Sequence, residues 1–180
     1  KGSGYLETDR FGGKDPYSGS KGAAELAIRS YVQSFFKQPE SNVCVAVGRA
    51  GNVIGGGDWA KDRIIPDWIR SWQQGGKLQI RNPSSIRPWQ HVLEPLAGYL
   101  LLATQLRNEP SVYAGSWNFG PSSREVRTVL EVTEHLIARF GCGSIISEAN
   151  EENHHEARLL QLNCDKAHKV LGWYPRWDFE

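Results

Sequence analysis

Methionine is missing altogether from these 180 residues, position 1 included, and cysteine is scarce, with three. Cys44, Cys142 and Cys164 are scattered and never spaced as C-x-x-C, which argues against a disulfide framework and a zinc knuckle. Reduced thiols are the expectation. No apolar run reaches the roughly 18 residues of a membrane span, and the opening KGSGYLETD carries no signal-peptide core. The sequence therefore reads as soluble and cytoplasmic, and its opening without Met reads as that of a processed, tagged or truncated product. An excess of one charge is lacking too: 21 basic and 20 acidic residues leave +1, so nucleic acid is not an expected partner.

One further absence concerns fold. Nucleotide-binding α/β proteins place G-x-G-x-x-G between a strand and a helix, where glycines admit a pyrophosphate. Here the only glycine triple is Gly55-Gly56-Gly57, which leads into Asp58-Trp59 instead of opening a helix. It does not count as a phosphate fingerprint.

What is present is globular. At 39% hydrophobic and 23% charged residues, a packed core is expected and general disorder is not. Asp15-Pro16 is a helix start, because Asp caps free N–H groups and Pro suits the first helical position. Apolar residues at 24, 28, 31, 32 and 35 then predict a helix from Pro16 to Lys37. "VCVAV" (Val43 to Val47) reads as a strand covered on both faces of a parallel sheet. Helix then buried strand is an α/β pattern.

The loop "GRAGNVIGGGDW" follows that strand, at the carboxyl end where open α/β sheets bind ligands. Beyond it the sequence predicts a helix from Arg63 to Gln74, a strand in "KLQI", and a turn into a strand in "IRPWQHV". An apolar helix from Pro95 to Leu106, a strand in "SWNFG" and an amphipathic helix from Arg127 to Phe140 come next. "SIIS" predicts a short strand, and "CDKAHKVLGW" a last helix capped by Gly172. Repeats, low-complexity tracts and linkers are absent.

Tyr17 and Lys21 stand four apart at the start of the first predicted helix, on one face. A free phenol ionises at roughly 10, and a cation beside it favours phenolate. The pair can thus form a general base that takes a proton from an alcohol, as hydride removal from a carbinol requires. Y-x-x-x-K alone equally fits an exposed lysine beside a half-buried tyrosine. The small residues Ser18, Gly19, Ser20, Gly22 and Ala23 around the pair cost helix propensity and leave room for a flat ligand or a close backbone.

"DPYSGSKGAAEL" resembles the catalytic helix of the extended short-chain dehydrogenases/reductases. "GRAGNVIGGGDWAKDRIIPD", "IRNPSSIRPWQHVLEPLAGYL", "WNFGP" and "HEARLLQLNCDKAHKVLGWYP" resemble one branch of them, the CDP-glucose 4,6-dehydratases. The likeness covers essentially the whole chain. It implies the C-terminal part of a Rossmann-like doubly wound parallel sheet plus a small α/β substrate-binding region. Residues 1–52 would belong to the NAD-binding domain and 53–180 mainly to the substrate region, with about 93–119 returning to the Rossmann domain.

The resemblance implies that Tyr17 takes the proton of the glucose 4-hydroxyl while hydride passes from C4 to NAD⁺, with Lys21 holding the nicotinamide ribose. Water then leaves across C5 and C6, and the hydride returns to C6, giving a 4-keto-6-deoxy sugar nucleotide for deoxysugar and O-antigen synthesis. The choice of CDP-glucose rests on this resemblance alone. The family's glycine fingerprint and its Ser/Thr-Asp-Lys cluster fall before Lys1, so the chain by itself is expected to be inactive.

On the substrate side the resemblance assigns Arg87 to the diphosphate and Asn52 to a phosphate or sugar. Arg63, with Ile64, Ile65 and Pro66, would line the nucleotide pocket, and Leu78, Ile80 and Arg81 would flank the base. Guanidinium forks suit phosphate oxygens, although a lone arginine also fits a solvated surface. His154, His155 and Glu156 invite a metal, but adjacent residues rarely converge on one ion and no further His completes a tetrahedral site. The resemblance makes His155 a substrate contact instead; a loop histidine bonded to backbone is the alternative. Of the seven tryptophans, Trp59 and Trp89 are expected near ligand, and Trp68, Trp72, Trp117, Trp173 and Trp177 in packing.

Two other functions fit the same residues: a sister nucleotide-sugar epimerase or decarboxylase, and a non-catalytic sugar-nucleotide-binding fragment. A homodimer through the Tyr17 helix and the 95–106 helix is the family expectation. Apolar surface left open on the 180 residues should promote association.

Overall fold

The computed structural model describes residues 4–12, 15–122, 126–147 and 161–179. Helix α1 spans Pro16–Tyr31 and runs on into a π-helical turn, Val32–Phe36, so the expected helix is present. Asp15 caps it, accepting the Ser18 N–H at 2.9 Å, and the Ser18 hydroxyl bond holds its carboxyl below the usual range. Its apolar stripe is not buried within the described residues: Ile28, Tyr31 and Phe35 are exposed.

The first strand departs from expectation. β1 is Ala46–Ala50, three residues later than the apolar run suggested, and Val43 lies exposed before it. None of its residues is fully buried. Among the described residues β1 pairs only with β6 (Gly115–Phe119), in parallel from Ala46↔Gly115 to Ala50↔Phe119. One partner cannot cover both edges and both faces.

The connection between these two strands carries α3, Leu93–Asn108, and a short α4, Pro110–Tyr113. Parallel strands joined through a helix form a βαβ unit, the building block of α/β folds. Its core packs Leu102 of α3 against Trp117 and Phe119 of β6 and against Ala167, Leu171 and Trp173 of the C-terminal segment. That segment is a π-helical turn, Ala167–Leu171, closed by Gly172 at φ 69°, as the sequence predicts.

A second cluster joins a helix and a strand from the middle of the chain to a later helix. Trp68 of α2 (Ile64–Gln73) packs with Leu78 and Ile80 of β3 (Leu78–Ile80) and with Val129, Leu136 and Ile137 of α5 (Val129–Phe140). β3 pairs in parallel with β8, Ile145–Ser147. Thr128 caps α5 in a reciprocal capping box with Glu131, so the helix begins at Val129 and not at Arg127. Arg127-Thr128 instead forms β7, antiparallel to β4, Ile86–Arg87. Trp72 and Trp177, expected in packing, are exposed.

Candidate functional site

The residues singled out from the sequence fall into two groups. At the first turn of α1 the Lys21 ammonium lies 5.5 Å from the centroid of the Tyr17 ring, so the i, i+4 expectation holds in space. Tyr17 is 72% exposed, and its phenol is open to a ligand.

The second group forms a cleft of about 490 Å³ beyond the carboxyl end of β1. Gly51 makes its entry: a Cβ there would lie 2.5 Å from the Pro88 ring, so only glycine lets the chain after β1 pass so close to "RPWQH". β2 (Val53–Ile54) then pairs in parallel with β5 (Gln90–His91), and the Gln90 N–H donates to the Asn52 carbonyl at 3.0 Å. Asn52 is thereby held beside the Arg87 segment. Asn52, Arg63, Ile80, Arg81 and Arg87 all line this one cleft, as do Trp59 and Trp89. Tyr17 and Lys21 are not among its lining residues.

Within the cleft Arg63 takes the N-cap position of α2. Arg87 bonds the Ile86 carbonyl through Nη1 at 3.0 Å and stands opposite Arg127 in the β4–β7 ladder. Arg81 donates to Asp62 at 2.6 Å. The glycine loop is fastened by Arg70, whose guanidinium donates to the Trp59 and Ala60 carbonyls at 2.9 and 3.1 Å and also bonds Asp67. A cleft lined by three arginines, three aspartates, three amide side chains and an apolar wall offers guanidinium donors to an anionic group and an apolar face to a flat ring.

Sequence reasoning passed over Asp62, Gln79 and Asn82, which line the cleft, and Arg70, which braces it. Asp62 and Asn82 lie within the family-like segments and Gln79 within the predicted KLQI strand, so only their roles went unread. His155, with His154 and Glu156, lies outside the described residues.

The sequence of the chain matches the model of the NAD dependent epimerase/dehydratase family over residues 2–120. The chain belongs to that family. A CDP-glucose 4,6-dehydratase of Salmonella typhimurium is 48% identical over 177 residues, which is 97% of this chain and 49% of that protein. The low-salt glycan biosynthesis protein Agl12 of Haloferax volcanii is 27% identical over 98% of this chain and 52% of its own length. The chain thus spans about half the length of the curated relatives it matches. Among solved structures, DesIV, a dTDP-glucose 4,6-dehydratase of Streptomyces venezuelae crystallised with NAD, superposes with a TM-score of 0.80 at 22% identity, covering 98% of this chain and 51% of that one. MoeE5 in complex with UDP-glucuronic acid and NAD gives 0.76 at 22% identity, over 97% of this chain and 55% of that one. These likenesses establish the Rossmann-like α/β fold for this family member. No helix among the described residues is long and apolar enough to cross a membrane.

Proposed function

We propose that this chain is part of a nucleotide-sugar 4,6-dehydratase that acts on CDP-glucose with NAD. The observation that carries the reading is the convergence of Asn52, Arg63, Ile80, Arg81 and Arg87 on one cleft, in a chain 48% identical to a CDP-glucose 4,6-dehydratase. Arg87 and Asn52 would hold the diphosphate and sugar, Arg63 the nucleotide, and Ile80 with Arg81 the base. His155 would add a substrate contact. Residues 1–52 and 93–119 fit the Rossmann part of the division, because β1, α3 and β6 form one βαβ unit.

Tyr17 and Lys21 fit the nicotinamide end of NAD: the phenol is open and the ammonium stands beside its ring. When bound, NAD supplies a reversible hydride acceptor. Tyr17 takes the proton of the sugar 4-hydroxyl as general base, with the ammonium of Lys21 beside its ring. Once C4 is a ketone, the C5 proton is acidic and the C6 hydroxyl can leave as water. These 180 residues hold no G-x-G-x-x-G turn, so the pyrophosphate of NAD needs further chain, and the residues alone should not turn over.

Proton NMR of CDP-glucose incubated with NAD⁺ and the protein expressed from its complete gene tests this. A C6 methyl signal beside a 4-keto group is expected, and Tyr17→Phe should slow its appearance about 10²- to 10⁴-fold without loss of CDP binding. An epimerised sugar that keeps its C6 hydroxyl would replace the dehydratase by a sister epimerase. Binding with no change in the sugar would leave a sugar-nucleotide-binding protein.

A further inference from the structure

The Asp62–Arg81 contact has no evident structural purpose. Oδ1 of Asp62 accepts from Nη2 of Arg81 at 2.6 Å, and the side chains are 61% and 70% exposed. An ion pair so open to water adds little to stability. Yet Asp62 is held at φ 64°, the one non-glycine residue in the left-handed region among the described residues, where Asp is tolerated better than most. Both residues line the cleft, beside the wall formed by Leu78 and Ile80. The loop that carries Asp62 is pinned to α2 by Arg70.

An apolar wall next to a paired donor and acceptor suits the face and the edge of a heterocyclic base. The Arg81 fork has five N–H donors, and the Asp62 carboxylate has room for a second donor beyond Arg81. Resting on the reading of this cleft as a nucleotide-sugar site, we propose that Asp62 and Arg81 together select cytosine. Asp62 accepts a hydrogen of the exocyclic amino group, and Arg81 donates to the ring nitrogen N3 and the carbonyl O2 beside it. Uracil and thymine carry a carbonyl oxygen where cytosine carries the amino group, and they place an N–H at N3. In the same pose the carboxylate meets the O4 oxygen and the guanidinium meets an N–H at N3, so the contact to O2 is kept but the other two are lost, and two electronegative oxygens approach.

Isothermal titration with CDP and UDP, on the protein expressed from its complete gene, separates the possible answers. The wild type should bind CDP at least about tenfold more tightly than UDP, the equivalent of one good hydrogen bond to a charged group. Asp62→Asn, which can donate to the uracil O4, should bring the two affinities to within about threefold, and Arg81→Gln should narrow the gap as well. Unchanged melting temperatures, expected at such exposed positions, show that both variants fold. A CDP preference that survives Asp62→Asn intact overturns the assignment while leaving the nucleotide cleft in place. Failure of the wild type to bind either nucleotide, or binding indifferent to Arg87→Ala, overturns the cleft reading and this inference with it.

Discussion

Arg49 of β1 grips Glu25 of α1 with two prongs of its guanidinium: Nε donates to Oε1 and Nη2 to Oε2, the latter at 2.8 Å. The same guanidinium donates to the Glu7 carbonyl at 3.2 Å and to the Ser116 hydroxyl of β6 at 3.1 Å. Glu25 follows Lys21 by four residues and Tyr17 by eight, so the three share one stripe of α1. The clamp that ties α1 to the β1–β6 pair therefore also sets the direction in which Tyr17 and Lys21 face.

Cutting that clamp should cost stability. The two side chains are only 20% and 14% exposed, and removing one member of such a pair strands the other charge. Arg49→Ala or Glu25→Ala should lower the unfolding free energy by on the order of 3 kcal/mol, read from urea titrations. A loss too small to measure would show that α1 is held by other contacts.

Gly98 of α3 lies under the ring of Phe119, which is fully buried; a Cβ there would come within 2.4 Å of the ring. Gly98→Ala gains helix propensity but overpacks the core of the βαβ unit. A net loss of about 1 to 3 kcal/mol is expected, visible as a lower melting temperature.

His168 stacks on Tyr174 with centroids 4.5 Å apart and rings 9° from parallel, and burial lowers its pKa below 6.5, opposed by Asp165. The unfolded chain, near 6.5, therefore takes up this proton first as the solution is acidified. The His168 contribution to stability is complete above about 6.5 and declines as pH falls from there through the lower folded value. His168→Gln should flatten that part of the melting-temperature profile; an unchanged slope between the two proteins would refute the assignment.

Thiol chemistry should follow burial. Cys44 is exposed, whereas burial above all pushes the Cys164 thiol up to about 12, and only the thiolate is nucleophilic. With Ellman's reagent at neutral pH, Cys44 should react first and Cys164 only after denaturation. Rapid modification of Cys164 in the native protein, mapped by peptide mass, would contradict its placement in the core.

The Thr128→Ala variant tests the boundary that sequence patterning misplaced. Thr128 accepts the Glu131 N–H at 3.1 Å, and Glu131 returns to the Thr128 N–H at 2.6 Å. Loss of the cap should cost about 1 kcal/mol in chemical denaturation. T-x-x-E stands in the sequence, with its Thr one residue after the predicted start at Arg127.

What depends on neighbours along the chain was readable from the sequence itself. Asp15 and Pro16 start α1, Gly172 ends the last helical turn, and the spacing of Tyr17 and Lys21 brings their side chains together, because a helix makes i and i+4 neighbours whatever surrounds it. Tertiary structure decided the rest. Where β1 begins is set by its ladder to Gly115–Phe119, a pairing across more than sixty positions that an apolar run cannot specify. The family likeness named Asn52, Arg63, Ile80, Arg81 and Arg87 one by one, but their meeting in a single cleft follows from the Gly51–Pro88 approach, the β2–β5 pairing and the packing of α2 on β3. The Asp62–Arg81 contact has the same origin: it joins residues nineteen positions apart, and only the folded chain brings that carboxylate to that guanidinium.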